Sequence, residues 1–139
     1  MLRQFVFGAA VCVCNIAIHA LVMTAVVQVA QIVGAKTTLR PTLVLIAVMV
    51  ATVSVLMVAH MFEVIIWSLA YAIVDAAPGD VDLLYFAFVN YTTLGYGDIL
   101  PAERWRLLGP MTAMNGVLLF GWSTAVIFEV LRRTMRSRS

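Results

Sequence analysis

Three long apolar blocks constrain what this chain can fold into. They run from about residue 5 to 33, from about 42 to 74 and from about 108 to 131. A helix that crosses a membrane needs roughly 20 predominantly apolar residues, and each block reaches that length. Hydrophobic residues make up 63% of the chain and charged residues only 12%, unlike soluble domains. Because the blocks lack the alternation of a β-barrel, they predict an all-α membrane protein with three transmembrane helices.

The first block has two possible interpretations. Arg3 gives it a short basic start, as in a secretory signal. Its apolar core is far longer than the roughly 7–15 residues of a signal, which favours a transmembrane helix. Asn15, His19, Gln28 and Gln31 are its polar residues, and we expect them to mark its protein-facing side.

A fourth apolar run, residues 81–91, is too short to cross a membrane. It leads directly into Thr-Thr-Leu-Gly-Tyr-Gly-Asp at residues 92–98. Glycines at alternate positions allow backbone dihedral angles that other residues resist. The sequence therefore predicts a re-entrant helix followed by a loop of unusual backbone geometry.

This heptapeptide resembles the selectivity filter of potassium channels, and about half of the chain, roughly 48–131, resembles their two-helix pore module. The resemblance implies a pore module at 42–131, with outer helix 42–74, pore helix 81–92, filter 93–98 and inner helix 108–131. Residues 1–41 are then an additional N-terminal transmembrane helix with a cytoplasmic connection, and residues 132–139 a basic cytoplasmic tail.

The resemblance also assigns the ion ligands. In such a filter, rings of backbone carbonyls replace the water shell of K⁺, with a threonine hydroxyl at the inner end. K⁺ would be bound by Thr93, Leu94, Gly95 and Tyr96, with Gly97 at the outer mouth. Asp98 matches the aspartate that anchors the outer end. One chain supplies only one such loop, so the resemblance implies a homotetramer.

The motif departs from the family pattern in ways that affect the filter's support. Leu94 replaces the usual valine or isoleucine and is less stiff than a β-branched residue. Phe86 stands where many channels have a tryptophan that hydrogen-bonds the outer aspartate, and phenylalanine cannot donate. We therefore expect another partner for Asp98. The nearest candidates are Arg104, Trp105 and Arg106.

Two ionisable residues in the second block, His60 and Glu63, are three apart and share a helix face. Ionisable residues within membranes usually face protein or water. The resemblance places this face against the pore helix, where Glu63 would support the filter from behind by hydrogen bonds to Asn90 or Tyr91. The alternatives are simple contact with interfacial water and proton sensing by His60.

The third block contains candidate hinge and gate residues. Gly116 and Gly121 match the hinge region of inner helices, and close helix packing is the alternative for them. Helical spacing from Val117 puts Thr124 and Phe128 on one face. Thr124 would then line a water-filled cavity, and Phe128 would form a hydrophobic gate or, alternatively, pack against lipid.

The distribution of charge predicts the orientation in the membrane. Lys36 and Arg40 lie in the first connection and four arginines lie in the C-terminal tail, whereas residues 75–106 are net acidic. By the positive-inside rule, the first connection and the C-terminus are cytoplasmic, and the N-terminus and the filter are outside. Arg3 is a mild exception.

The leading hypothesis is a passive potassium-selective channel, in a bacterial inner membrane. Alternatives are a weakly selective cation channel and a non-conducting, pore-like membrane subunit. We expect no enzymatic activity and no cofactor, since the sequence shows no catalytic nucleophile, nucleotide loop or metal site besides the K⁺ filter. The expected partners are further copies of the chain, K⁺ ions and membrane lipids, with no nucleic acid or nucleotide.

Overall fold

A computed structural model of the chain describes residues 1–36 and 40–136. Within these ranges the regular elements are helical: α1 (Leu2–Lys36), α2 (Pro41–Val74), α3 (Leu83–Tyr91) and α4 (Leu108–Arg136), with a 3₁₀ turn at Glu103–Trp105. Three of the helices, α1, α2 and α4, are long and apolar enough to cross a membrane, which confirms the predicted all-α class and the number of spans. Residues 37–39 of the predicted connection and 137–139 of the predicted tail lie outside the described residues.

The start of α3 is fixed by a side-chain cap. One carboxylate oxygen of Asp82 accepts hydrogen bonds from the backbone N–H groups of Leu84, at 2.9 Å, and Tyr85, at 3.1 Å. These donors have no partner within the helix, so an acidic N-cap stabilises its first turn. The helix therefore begins at Leu83, two residues after the start of the apolar run.

Helix α4 continues past the end of the third apolar block. The Glu129 carboxylate accepts hydrogen bonds from Arg132, at 2.9 Å, and from Arg133. Ion pairs at this spacing stabilise a helix by a few tenths of a kcal/mol each, on the order of 0.2–0.5. The last turns of α4 are thus formed by basic residues of the predicted tail.

The chain divides into two compact units, Met1–Ala17 with Met61–Leu119 and Ile18–His60 with Phe120–Ser139. The core of the first unit is rich in aromatic residues, and the rings of Tyr71 in α2 and Phe86 in α3 pack with centroids 4.9 Å apart. The core of the second unit is aliphatic. It includes Met23, Val26, Val48, Leu56, Val126 and Val130.

Helix α1 buries one face along its length. The buried positions are Cys12, Asn15, His19, Met23, Val26 and Ala30, which follow helical spacing. Asn15 and His19 therefore lie on the protein-facing side, as expected. Gln28 and Gln31 are exposed, so the expectation for these two residues is wrong. They fall outside the spacing that the buried positions share.

Candidate functional site

The loop after α3 has an alternating backbone. Thr93, Gly95 and Gly97 have φ values of 60°, 56° and 78°, whereas φ is not positive at Leu94 or Tyr96. A left-handed conformation costs an L-residue with a Cβ roughly 1–2 kcal/mol, so the two glycines stand where the backbone requires them. In an extended strand successive peptide groups point in opposite directions. Alternation of the sign of φ opposes that reversal, so this backbone suits a loop in which successive carbonyls face one side.

The start of this loop is tied to the C-terminal turn of α3. The N–H groups of Leu94 and Gly95 both donate to the carbonyl of Val89, at 3.0 and 3.4 Å, and the Thr93 N–H donates to the Asn90 carbonyl at 3.1 Å. These three N–H groups therefore have acceptors within the same chain, at the end of α3. Among the residues that the structure describes, none donates a hydrogen bond to the carbonyls of residues 93–97.

At the outer end of the loop, the Asp98 carboxylate accepts a hydrogen bond from the Tyr85 hydroxyl at 2.9 Å. Arg104, one of the partners expected from the sequence, instead forms an ion pair with Asp75. Asp98 thus has a partner other than Phe86, as expected, but the three candidates named from the sequence are wrong, since the donor is Tyr85 in α3. The hydrogen bond to Asp98, ahead of burial, raises the pKa of Tyr85, so this phenol remains a donor at neutral pH.

Behind the loop, the fully buried carboxylate of Glu63 accepts a hydrogen bond from the Tyr91 hydroxyl. Tyr91 was one of two partners expected for Glu63. The other, Asn90, instead donates through Nδ2 to the carbonyl of Phe86 at 2.9 Å. Burial, followed by the hydrogen bond to Glu63 and its charge, raises the pKa of Tyr91, which keeps the phenol protonated.

Asn115 of α4 joins three helices in the same unit. Its Oδ1 accepts hydrogen bonds from the indole N–H of Trp67 in α2 and from Nδ2 of Asn15 in α1, both at 3.0 Å. All three side chains are buried. Sequence reasoning did not assign roles to Trp67 or Asn115. The available signal was a tryptophan within an apolar block, since a buried indole N–H needs an acceptor.

Gly116, a candidate hinge residue, lies against the end of α3. A Cβ at this position would be 2.0 Å from the carbonyl oxygen of Tyr91, so the two helices meet backbone to backbone. Helix α4 is continuous through the position. Close packing therefore accounts for this glycine. At Gly121 an added Cβ would meet no atom within 4 Å, and bending there stays a prediction.

A protein family described as "Ion channel" has a sequence model that matches residues 43–133, about two thirds of the chain. The chain belongs to this ion-channel family. Membership confirms the resemblance to potassium channels of the pore-loop type, and with three helices of membrane length it makes the protein an integral membrane ion channel. The match begins at residue 43 and therefore excludes all of α1. Searches of curated proteins and of solved structures found no match.

The second unit of this ion channel contains the candidate cavity and gate residues. Phe128 is 65% exposed on α4, and Thr124 is exposed with its hydroxyl donating to the Phe120 carbonyl at 3.0 Å. The ring of Phe120 packs on His60, with centroids 4.6 Å apart. Thr124 and Phe128 thus share an exposed face, whereas Phe120 is engaged with α2.

Proposed function

We propose that the protein is a passive, potassium-selective channel in which four identical chains surround one pore. The observation that carries the proposal is the alternation of φ at Thr93, Gly95 and Gly97. Such a backbone suits aligned carbonyls, and the carbonyls of residues 93–97 accept no hydrogen bond from the described residues. A dehydrated cation needs several oxygen ligands at once, and a single loop provides only one column of them. Copies of the loop around an axis complete the ion sites.

In this channel, α2 is the outer helix, α3 the re-entrant pore helix and α4 the inner helix. K⁺ is bound by rings of carbonyls and, at the inner end, by a threonine hydroxyl. The ligand residues are Thr93, Leu94, Gly95 and Tyr96, with Gly97 at the outer mouth. The C-terminus of α3 carries the partial negative charge of a helix dipole, which favours a cation in the cavity beneath the filter. The process needs no cofactor or nucleotide.

Exposure of the loop supports assembly into an oligomer. Leu94 is 54% exposed and Tyr96 is 69% exposed in the single chain. On α4, the side chains of Val117 and Phe128 are 55% and 65% exposed. Large exposed apolar side chains mark surfaces that pack against another protein or a membrane. Neighbouring chains would cover the loop, and lipids would cover the remaining apolar faces.

In this proposal the channel lies in a bacterial inner membrane, and its charge distribution supports a C-terminus in the cytoplasm. The last turn of α4 carries Arg133 and Arg136 as basic residues. Basic residues that flank a transmembrane helix favour the cytoplasmic side. Three spans then put the N-terminus and the filter outside.

A weakly selective cation channel is the second candidate, and one observation favours it. Leu94 stands in the middle of the filter, and its side chain has more conformational freedom than a β-branched one. A less rigid loop holds its carbonyls less closely to the geometry that one ion requires. The two candidates share the same pore and differ in the ratio of K⁺ to Na⁺ permeability.

Bi-ionic reversal potentials of the purified protein in planar bilayers test the proposal. We expect strong preference for K⁺ over Na⁺ in the wild type and loss of selective current in Gly95→Ala, because the methyl group opposes a φ of 56°. Gly79→Ala is the matched control, since an added Cβ there meets no atom within 4 Å. Weak preference in the wild type would support the second candidate. An absence of current would mean a non-conducting subunit.

Native mass spectrometry in detergent tests the assembly separately. We expect a tetramer for the wild type and for Gly95→Ala, because the substitution affects the loop backbone without changing α2 or α4. A protein that is only monomeric or dimeric would contradict the proposed pore.

A further inference from the structure

Three polar side chains of the second unit, which the proposed filter does not use, converge on one point. The Nε2 atom of His60 in α2 lies 3.0 Å from the Oγ atom of Ser123 in α4. The Nε2 atom of His19 in α1 lies 3.3 Å from the same oxygen. His19 and Ser123 are buried, and His60 is partly buried. Three helices therefore direct three potential metal ligands to a common position.

The Ser123 oxygen can form a hydrogen bond with each of the two histidines. Its hydroxyl carries one proton and two lone pairs, so it can donate to at most one imidazole and can accept from either or both. When neither Nε2 carries a proton, two nitrogen lone pairs face the same oxygen. The ring nitrogens of His19 and His60 are within 4.8 Å of each other.

We propose that His19, His60 and Ser123 bind a divalent transition-metal ion of the Zn²⁺ class. Neutral imidazole nitrogen suits Zn²⁺, Cu²⁺ and Ni²⁺, whereas Mg²⁺ and Ca²⁺ prefer oxygen ligands. Zn²⁺ takes about four ligands in a tetrahedral arrangement, with Zn–N distances of about 2.0–2.1 Å. The two imidazoles and the Ser123 oxygen supply three of them, and a water supplies the fourth.

The bound water also reduces the charge problem that a buried ion creates. An isolated charge in apolar surroundings is strongly disfavoured. Zn²⁺ lowers the pKa of a bound water to about 7, so a hydroxide ligand can offset part of the ion's charge. His60 is the most exposed of the three ligands.

Aromatic rings hold both imidazoles in place. Trp122 packs on His19 with ring centroids 5.4 Å apart, and Phe120 packs on His60 at 4.6 Å. Such packing restricts the side-chain rotations of the two ligands, which favours a preorganised site. A bound metal would link α1 and α2 to α4 at Ser123, two residues after Gly121. This role is separate from the proposed K⁺ filter.

Co²⁺ titration of the purified full-length protein tests the site, because tetrahedral Co²⁺ has visible absorption that reports its ligands. The exposed thiol of Cys14 is first removed as Cys14→Ser, since it is a competing ligand. We expect saturable absorption that Zn²⁺ displaces. His19→Gln and His60→Gln should each weaken binding beyond the roughly 10–100-fold that loss of an outer partner causes. Ser123→Ala should weaken it less.

The chain contains two histidines, which gives a second test that needs no substitution. With ¹⁵N-labelled histidine, Zn²⁺ should shift the Nε2 resonances of both imidazoles together. This measurement decides the proposal even where a glutamine variant does not fold. Equal Co²⁺ absorption in a variant that combines His19→Gln with His60→Gln would overturn the site, as would histidine resonances that Zn²⁺ leaves unchanged. Neither result would affect the proposed conduction of K⁺.

Discussion

The phenol of Tyr91, at the end of α3, donates a hydrogen bond to the buried carboxylate of Glu63 in α2. Tyr91 stands two residues before Thr93, so this contact links α2 to the start of the proposed filter. Burial of a carboxylate is costly unless it is hydrogen-bonded, and hydrogen bonds to charged groups are among the stronger ones. The pair therefore stabilises the loop through the helix that precedes it.

Tyr91→Phe removes the hydroxyl from this pair. We expect the free energy of unfolding to fall by about 1.5–3 kcal/mol, the usual contribution of a hydrogen bond to a charged group. Thermal melting in detergent measures the loss, and K⁺ flux should decline with it. The combined Tyr91→Phe and Glu63→Gln variant should lose less stability than the sum of the single variants. Additive losses would show that the two side chains act independently.

Gly116→Ala and Gly121→Ala form a matched pair on α4. A methyl group at 116 would lie 2.0 Å from the Tyr91 carbonyl oxygen, whereas at 121 it would meet nothing within 4 Å. We expect Gly116→Ala to destabilise the protein by about 1–3 kcal/mol through overpacking. Gly121→Ala should stabilise the helix by about 0.5–1 kcal/mol. Similar melting temperatures for both would contradict the close contact of α3 with α4.

Current recordings of Gly116→Ala and Gly121→Ala test whether α4 bends at either glycine when the channel opens. A straighter helix at Gly121 should lower the open probability of a channel that bends there, although the protein melts higher. Unchanged open probability in Gly121→Ala would remove this residue as a bending point.

Tyr85→Phe removes the donor to Asp98 while keeping the ring. We expect current to decline faster during sustained recording, because the outer end of the proposed filter loses its hydrogen-bonded support. Arg104→Gln is the control, since Arg104 pairs with Asp75 instead. An equal effect of the two substitutions would mean that Asp98 is not the route through which Tyr85 acts.

Phe128→Ser tests the proposed gate. A ring of apolar side chains bars ions because a partly dehydrated ion finds no replacement ligands there. We expect higher basal current with unchanged preference for K⁺. Phe62→Ser on α2 is a control of similar exposure, 58% against 65% for Phe128. Unchanged basal current in Phe128→Ser would place closure elsewhere, and altered ion preference would contradict a gate independent of the filter.

The sequence predicts the helical class because membrane thickness fixes the length of an apolar span. The sequence also identifies Gly95 and Gly97 as loop positions with unusual dihedral angles, since this requirement depends only on the local backbone. The positive φ of Thr93 was not predicted, because threonine does not favour that conformation. In the structure this conformation accompanies the hydrogen bond from the Thr93 N–H to the Asn90 carbonyl.

Partners from distant parts of the chain were harder to predict. Arg104 is closer in sequence to Asp98 than Tyr85 is, yet Tyr85 is the partner because α3 and the loop fold back on each other. Similarly, Asn15 and Asn115 meet 100 residues apart in the sequence. Such contacts depend on how each helix is rotated about its own axis. Packing between helices sets this rotation, and apolar blocks with few polar residues do not reveal it.

The alternating backbone of residues 93–97 also predicts whether a variant of the loop is genetically dominant or recessive. In the proposed ring of identical chains, each chain supplies only part of every ion site, so one misfolded loop disrupts the pore that its intact neighbours share. A Gly95 variant that still folds and assembles should therefore act as a dominant allele when it is expressed beside the wild-type gene. A variant that cannot assemble should be recessive, because the intact chains would form their own pores.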